Sequence, residues 1–193
     1  LLAERMGWPA VLSTYSRLVI DPNRGEDDPT LVMKLYDGSI VPANRHAGAE
    51  ETERRLNDWH RPYHGAVRGA IDRAERLGAR PALVSMHSFT RQFRGRPPRP
   101  WHVGVLWDAD PRLPVPLIER LREEPDLVVG DNEPYTGALD GDSMNVHGTR
   151  RGLAHVLIEV RNDLIAEPEG QAIWAERLAG ALADALDRMR RDS

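Results

Sequence analysis

Leu153-Ala154-His155-Val156-Leu157-Ile158-Glu159-Val160 is an almost unbroken apolar run, closed in front by Arg151-Gly152 and behind by Arg161-Asn162-Asp163. A short run of this kind, rich in β-branched residues and bounded by polar turn formers, reads as a strand, the most convincing in the chain. After it, residues 170–190 place Ile173, Trp174, Leu178, Leu182 and Leu186 at helical spacing, which predicts a long amphipathic helix with those side chains inward. Ahead of it, Ala82-Leu83-Val84-Ser85-Met86 reads as a short buried strand, residues 103–107 as another, 115–122 as a helix and 127–129 as a strand. Pro62 suits the first turn of a helix that runs to about Leu77 and stops at Gly78, with Val67, Ala70, Ile71, Ala74 and Leu77 on one face. Strands alternating with helices predict an α/β fold of three layers, with a mixed, mostly parallel central sheet and helices on both faces. The length of 193 residues suits a single domain.

The front of the chain is less regular. Leu1-Leu2-Ala3-Glu4-Arg5-Met6-Gly7 reads as the last turns of a helix, with Gly7 as its C-terminal stop and Pro9 beyond. A helix already ending at residue 1 leads to the expectation that an N-terminal segment is missing. Residues 10–14 and 17–20 are β-rich and predict short strands, the second stopped by Asp21-Pro22-Asn23-Arg24-Gly25. Residues 25–60 predict a long irregular stretch, of the kind more often functional than a linker.

Composition narrows the chemistry. With no cysteine there can be no disulfide, thiolate metal site or cysteine nucleophile, so a metal would need His and carboxylate ligands. A net charge of −4 argues against nucleic acid or an anionic membrane as partner, and no apolar run is long enough for a membrane span. Cytoplasm is the expected location.

In open α/β sheets ligands bind beyond the carboxyl ends of the strands, which singles out three polar groups. They are Asp21-Pro22-Asn23-Arg24, His87-Ser88, and Glu159-Val160-Arg161. Each holds residues able to ligate, move protons or clamp an anion, and together they point to an active site. Arg161 is set aside as facing away from Glu159.

Ser16-Arg17-Leu18-Val19-Ile20-Asp21-Pro22-Asn23-Arg24 resembles a segment of the N-formylglutamate amidohydrolases. Asn44, Pro62-Tyr63-His64, His87-Ser88-Phe89-Thr90, the stretch from Arg99 to Trp107, Gly130-Asp131-Asn132-Glu133-Pro134-Tyr135 and Leu157-Ile158-Glu159-Val160-Arg161-Asn162-Asp163-Leu164-Ile165 recur in the same order. That family is in turn similar to zinc carboxypeptidases and aspartoacylase. The resemblance implies a zinc-carboxypeptidase-like sheet, one zinc ion and hydrolysis of an N-acyl amino acid carrying a carboxylate, with N-formylglutamate as lead substrate. It also implies residue roles: His87 as a zinc ligand, Glu159 as catalytic base, Arg17 on the developing oxyanion, and Asn23 with Arg24 as carboxylate clamp. Apart from the resemblance, His147, in the glycine-rich stretch before the Leu153 strand, reads as a substrate-side residue or a surface loop histidine, and Tyr135 as a pocket-lining or a packing residue. The other two metal ligands are expected upstream of Leu1.

The partner is then a small carboxylate-bearing molecule. Rival readings are a hydrolase of another acyl-amino acid or peptide-like substrate, or a non-catalytic carboxylate-binding module. His60 and His64 have the i,i+4 spacing of a metal pair, but Pro62 between them argues against continuous helix through His60. The Arg91 to Arg99 cluster reads as a solvated or anion-facing loop.

Overall fold

A computed structural model gives the structure over residues 1–191. In chain order the elements are helix α1 Leu2–Met6, strands β1 Leu35–Tyr36 and β2 Ser39–Ile40, helix α2 Ala49–Arg55, a π-helical turn Leu56–His60 and helix α3 Arg61–Arg76. There follow β3 Leu83–Phe89, β4 Val103–Leu106, α4 Pro114–Arg122, β5 Val129–Asp131, α5 Ser143–His147, β6 His155–Arg161 and α6 Pro168–Arg191. The chain divides into two compact units, one made of Leu1–Pro9, Ala82–Ala138 and the chain from Gly152 onward, the other of Ala10–Pro81 and Leu139–Arg151.

The first unit holds the sheet, in the order β3-β6-β4-β5. β3 runs parallel to β6 and β4 parallel to β5, while β4 and β6 are antiparallel. The expected mixed, mostly parallel sheet is therefore present. β6 is buried at every position, as its apolar run requires. Alternation sends Val156, Ile158 and Val160 to one face, where they join Val103 and Val105 of β4, Leu117 and Leu121 of α4, and Trp174, Leu178 and Leu182 of α6 in one core. Ile173, expected inward, is 52% exposed, because the packed stripe of α6 runs through Trp174, Leu178, Ala181, Leu182 and Ala185 instead. Gly7 ends α1 with a positive φ of 64°, as expected, and Trp8 N–H closes the cap on Ala3 O.

The second unit departs most from expectation. Residues 10–14 and 17–20 form no strand. The carbonyls that a neighbouring strand would have used are taken by side chains: Asn44 Nδ2 donates to Leu18 O (2.7 Å) and Met33 O (2.8 Å), and Arg55 Nη1 donates to Val19 O (2.6 Å). Asn44 is fully buried, and its Oδ1 accepts from the same Arg55 nitrogen, so every polar atom of the amide is satisfied. Ile20, Leu31, Val32, Ala47 and Leu56 pack around this node. Helix also runs where irregular chain was expected, from Ala49 through the π-helical turn into α3. Pro62 does not break it. The turn before it is wide, with Arg61 N–H bonded to Leu56 O, so the proline ring meets no closely stacked carbonyl.

Gly104 and Gly130 are register partners on β4 and β5, and a Cβ on them would lie 2.1 and 2.6 Å from Glu133 O. Gly104→Ala should therefore destabilise the protein by about 1–3 kcal/mol, since backbone must move to admit the methyl group. Gly180 of α6 has nothing within 4 Å of its Cβ position, so Gly180→Ala should add up to about 1 kcal/mol. Urea midpoints of the two variants check this, and equal midpoints would contradict it.

Candidate active site

Glu159 and His87 are direct register partners across the parallel β3–β6 pair. Register partners share a face, and this face is the one opposite α4 and α6. Both residues stand near the carboxyl ends of their strands, Glu159 buried and His87 partly so. Gly104 faces Glu159 from the other side, so His87, Glu159, Gly104 and Gly130 form one row across four strands. The two glycines let the Glu133 backbone lie over the sheet beside Glu159.

That turn is held from within. Asn132, at a φ of 52°, accepts from the N–H groups of Trp107 (2.9 Å) and Gly137 (3.0 Å) through Oδ1, and Trp107 Nε1 donates to Asp131 (2.8 Å). Tyr135 is 37% exposed, and its hydroxyl accepts from Arg99 Nη1 (2.9 Å). The Arg99 guanidinium also covers the rings of Phe93 at 4.2 Å and Tyr135 at 5.0 Å, so one arginine of the basic loop is caged by aromatics. Arg161 lies two residues beyond Glu159 and so shares its face, contrary to the sequence reading. It is used locally, bonded to Asp163 and the Trp101 carbonyl.

The second unit carries Arg17, Asn23 and Arg24. Asp21 is buried and organises them: one carboxylate oxygen accepts from Asn23 N–H (2.9 Å) in an Asx turn, and the other pairs with Arg17 Nη2. Asn23, also buried, accepts from Ser143 N–H (3.1 Å). Arg24 is half-buried, with Nε on Thr30 Oγ1 (3.1 Å) and Nη1 on Asn23 O (2.9 Å). These bonds fix the inner edge of its guanidinium.

Behind this segment lie three imidazoles. His60 Nε2 is 2.9 Å from Arg24 O, His64 Nε2 is 3.0 Å from Pro22 O, and His64 Nδ1 is 2.8 Å from His147 Nε2. A carbonyl only accepts, so His60 and His64 both carry their proton on Nε2, and His147 must then donate to His64. The His60 and His64 rings sit 4.4 Å apart, so the helix does bring them together despite Pro62. His147 is 2% exposed.

Burial first, and then His60 and His147 nearby, push the His64 pKa down to about 4. His147 is also lowered, chiefly by burial. The unfolded chain takes up the His64 proton near its ordinary value of about 6.5. Between the two values the unfolded state binds more protons, so stability falls as pH drops from about 6.5 toward 4 and is level in this respect above 6.5. Urea midpoints should decline over that window, and less steeply in His64→Gln. Parallel declines in the two proteins would remove His64 as a cause.

Among the sequence-selected residues, His87 and Glu159 are adjacent, while Arg17, Asn23 and Arg24 share the turn built by Asp21. Sequence reasoning missed Ser143, whose bond to Asn23 spans 120 residues, and the close approach at Gly104 and Gly130. Asp142-Ser143 does carry a local signal, since Asp142 caps α5 through Asn145 N–H. Among the described residues no three His, Asp or Glu side chains come together as a metal site. A catalytic zinc usually takes three protein ligands, so these residues alone do not fit one. No helix among them is long and apolar enough to cross a membrane.

A family model described as N-formylglutamate amidohydrolase matches residues 1–166. An N-formylglutamate deformylase of Pseudomonas putida is 31% identical over 165 residues, covering 77% of this chain and 58% of that protein. The chain thus spans less than two thirds of that relative. The crystal structure of a gene product from Agrobacterium tumefaciens superposes with a TM-score of 0.85 at 32% identity, over 91% of this chain and 69% of that one. An N-formylglutamate amidohydrolase from Ralstonia eutropha gives a TM-score of 0.67 at 24% identity, over 93% and 76%, and shares the fold.

Proposed function

Because the chain belongs to the N-formylglutamate amidohydrolase family, we propose that it hydrolyses the amide of an N-acyl amino acid, with N-formylglutamate giving formate and glutamate as lead reaction. The observation that carries this reading is the pairing of His87 with Glu159 near the carboxyl ends of β3 and β6. A carboxylate able to take up a proton, beside an imidazole able to ligate a metal, at that position of an α/β sheet, suits amide hydrolysis.

In this reading Glu159 takes a proton from the attacking water as its oxygen bonds to the acyl carbon. It returns that proton to the nitrogen as the C–N bond breaks, giving formic acid and the amine, which takes up the acid's proton to leave formate and an ammonium group. Arg17, aimed by Asp21, stabilises the developing oxyanion. Arg24 and Asn23 grip the substrate carboxylate through charge-assisted hydrogen bonds, and Tyr135 lines the substrate side. This reading would add one zinc ion with His87 as one ligand, although the described residues alone do not complete its site, and a three-layer, zinc-carboxypeptidase-like architecture. The setting is cytoplasmic metabolism of a small carboxylate.

Formate release from N-formylglutamate by the purified full protein tests the activity, and an acyl-amino acid turned over far better would replace the lead substrate. For the metal, the zinc-replete protein should lose its ion on His87→Ala. Retention of zinc by that variant would take His87 out of the ligand set.

A further inference from the structure

We infer that His60, His64 and Ser143, with His147 behind them, are positioning residues that hold Pro22-Asn23-Arg24 in the shape that grips a substrate carboxylate. This rests on the reading of Asn23 and Arg24 as the clamp. The segment has few backbone partners of its own and is pinned by side chains instead. Pro22 O accepts from His64 Nε2 (3.0 Å) and from Ser143 Oγ (3.0 Å). Arg24 O accepts from His60 Nε2 (2.9 Å), and Asn23 Oδ1 from Ser143 N–H (3.1 Å). The carbonyls on either side of Asn23 are thus held by donors from the π-helical turn, α3 and α5.

The burial of these groups says that holding the segment is their task. His60, His64, Ser143 and His147 are all 9% exposed or less. Polar side chains there give up hydration that apolar residues would not have to give up. His60 Nδ1 is buried with no partner, a penalty borne while Nε2–H stays on Arg24 O. His147 adds direction. Its Nε2 proton points at His64 Nδ1 (2.8 Å), which keeps the His64 proton on Nε2, aimed at Pro22 O. Asn23 has its Oδ1 occupied by Ser143, so the side of its amide left to meet an anion is Nδ2–H₂.

The test measures kcat and KM for N-formylglutamate in the full protein carrying Ser143→Ala, His64→Leu, His64→Gln or Arg24→Lys. Misaiming a clamp weakens binding, so Ser143→Ala and His64→Leu should each raise KM about tenfold while kcat changes less. His64→Gln places an amide N–H near the position of Nε2, and should recover most of the loss that His64→Leu causes. Loss of packing alone would give no such recovery. In addition, ¹⁵N shifts should report His64 as the Nε2–H tautomer in the parent and a mixture of tautomers in His147→Leu. If His64→Leu does not fold, Ser143→Ala and the Gln variant decide. Unchanged KM in these variants, with a raised KM in Arg24→Lys, overturns the positioning role alone. Unchanged KM in Arg24→Lys, or no turnover by the parent, overturns the clamp reading and this inference with it.

Discussion

Glu159→Gln is expected to leave the protein folded and to lower kcat by about two orders of magnitude or more. That corresponds to roughly 3 kcal/mol of barrier. The amide has nearly the shape of the carboxylate, so the row of His87, Glu159 and Gly104 keeps its packing. Its oxygen can still accept hydrogen bonds, but it cannot take a proton from water. KM should move little, because the lost interaction belongs to proton transfer and not to the grip on the substrate. Steady-state kinetics together with a urea midpoint separate these effects. Activity near the parent level in a normally folded variant would assign the proton to another group.

Arg24→Lys should act on the other parameter. The guanidinium donates to Thr30 Oγ1 and to Asn23 O at once, so its outer edge faces in a fixed direction. A lysine ammonium keeps the charge but neither the planar fork nor those two anchoring bonds. For a carboxylate-bearing substrate, KM should rise about 10- to 100-fold, the scale of one or two hydrogen bonds to a charged group. An unchanged KM would remove Arg24 from substrate binding.

The sheet unit was largely legible because its signals are apolar and periodic. The run at 153–160 and the stripe on α6 bury side chains whose spacing announces their element, whereas the strand ahead of His87, expected to be buried, is only partly so, with Met86 44% exposed. The second unit is built on polar anchors, which hydrophobic periodicity does not register. α2 has a single buried residue, and it is Arg55, so no apolar face marks the helix. Leu18, Val19 and Ile20 have strand composition, yet Asn44 and Arg55 occupy the carbonyls of the first two, and tertiary contacts override propensity. The site divides in the same way. That His87 and Glu159 stand at strand ends could be read from local pattern, whereas their adjacency is a matter of register. Ser143 could not be found, since its link to Asn23 is made by folding across most of the chain.

The wide turn at Leu56–His60 amounts to one residue more than a regular helix would hold. Each helical residue advances the chain by about 100° of rotation and 1.5 Å of rise. Deleting one residue from that turn would therefore not only shorten the helix. It would rephase α2 against α3 by roughly a quarter turn, swinging Glu51 and Arg55 off the side on which Asn44 waits. The Val19 carbonyl and Asn44 Oδ1 would lose their Arg55 donor together, with Pro22-Asn23-Arg24 only a few residues further along. The extra residue works as a phase setting: it lets one helix meet the loop with Arg55 at one end while His60 and His64 meet the Arg24 and Pro22 carbonyls at the other.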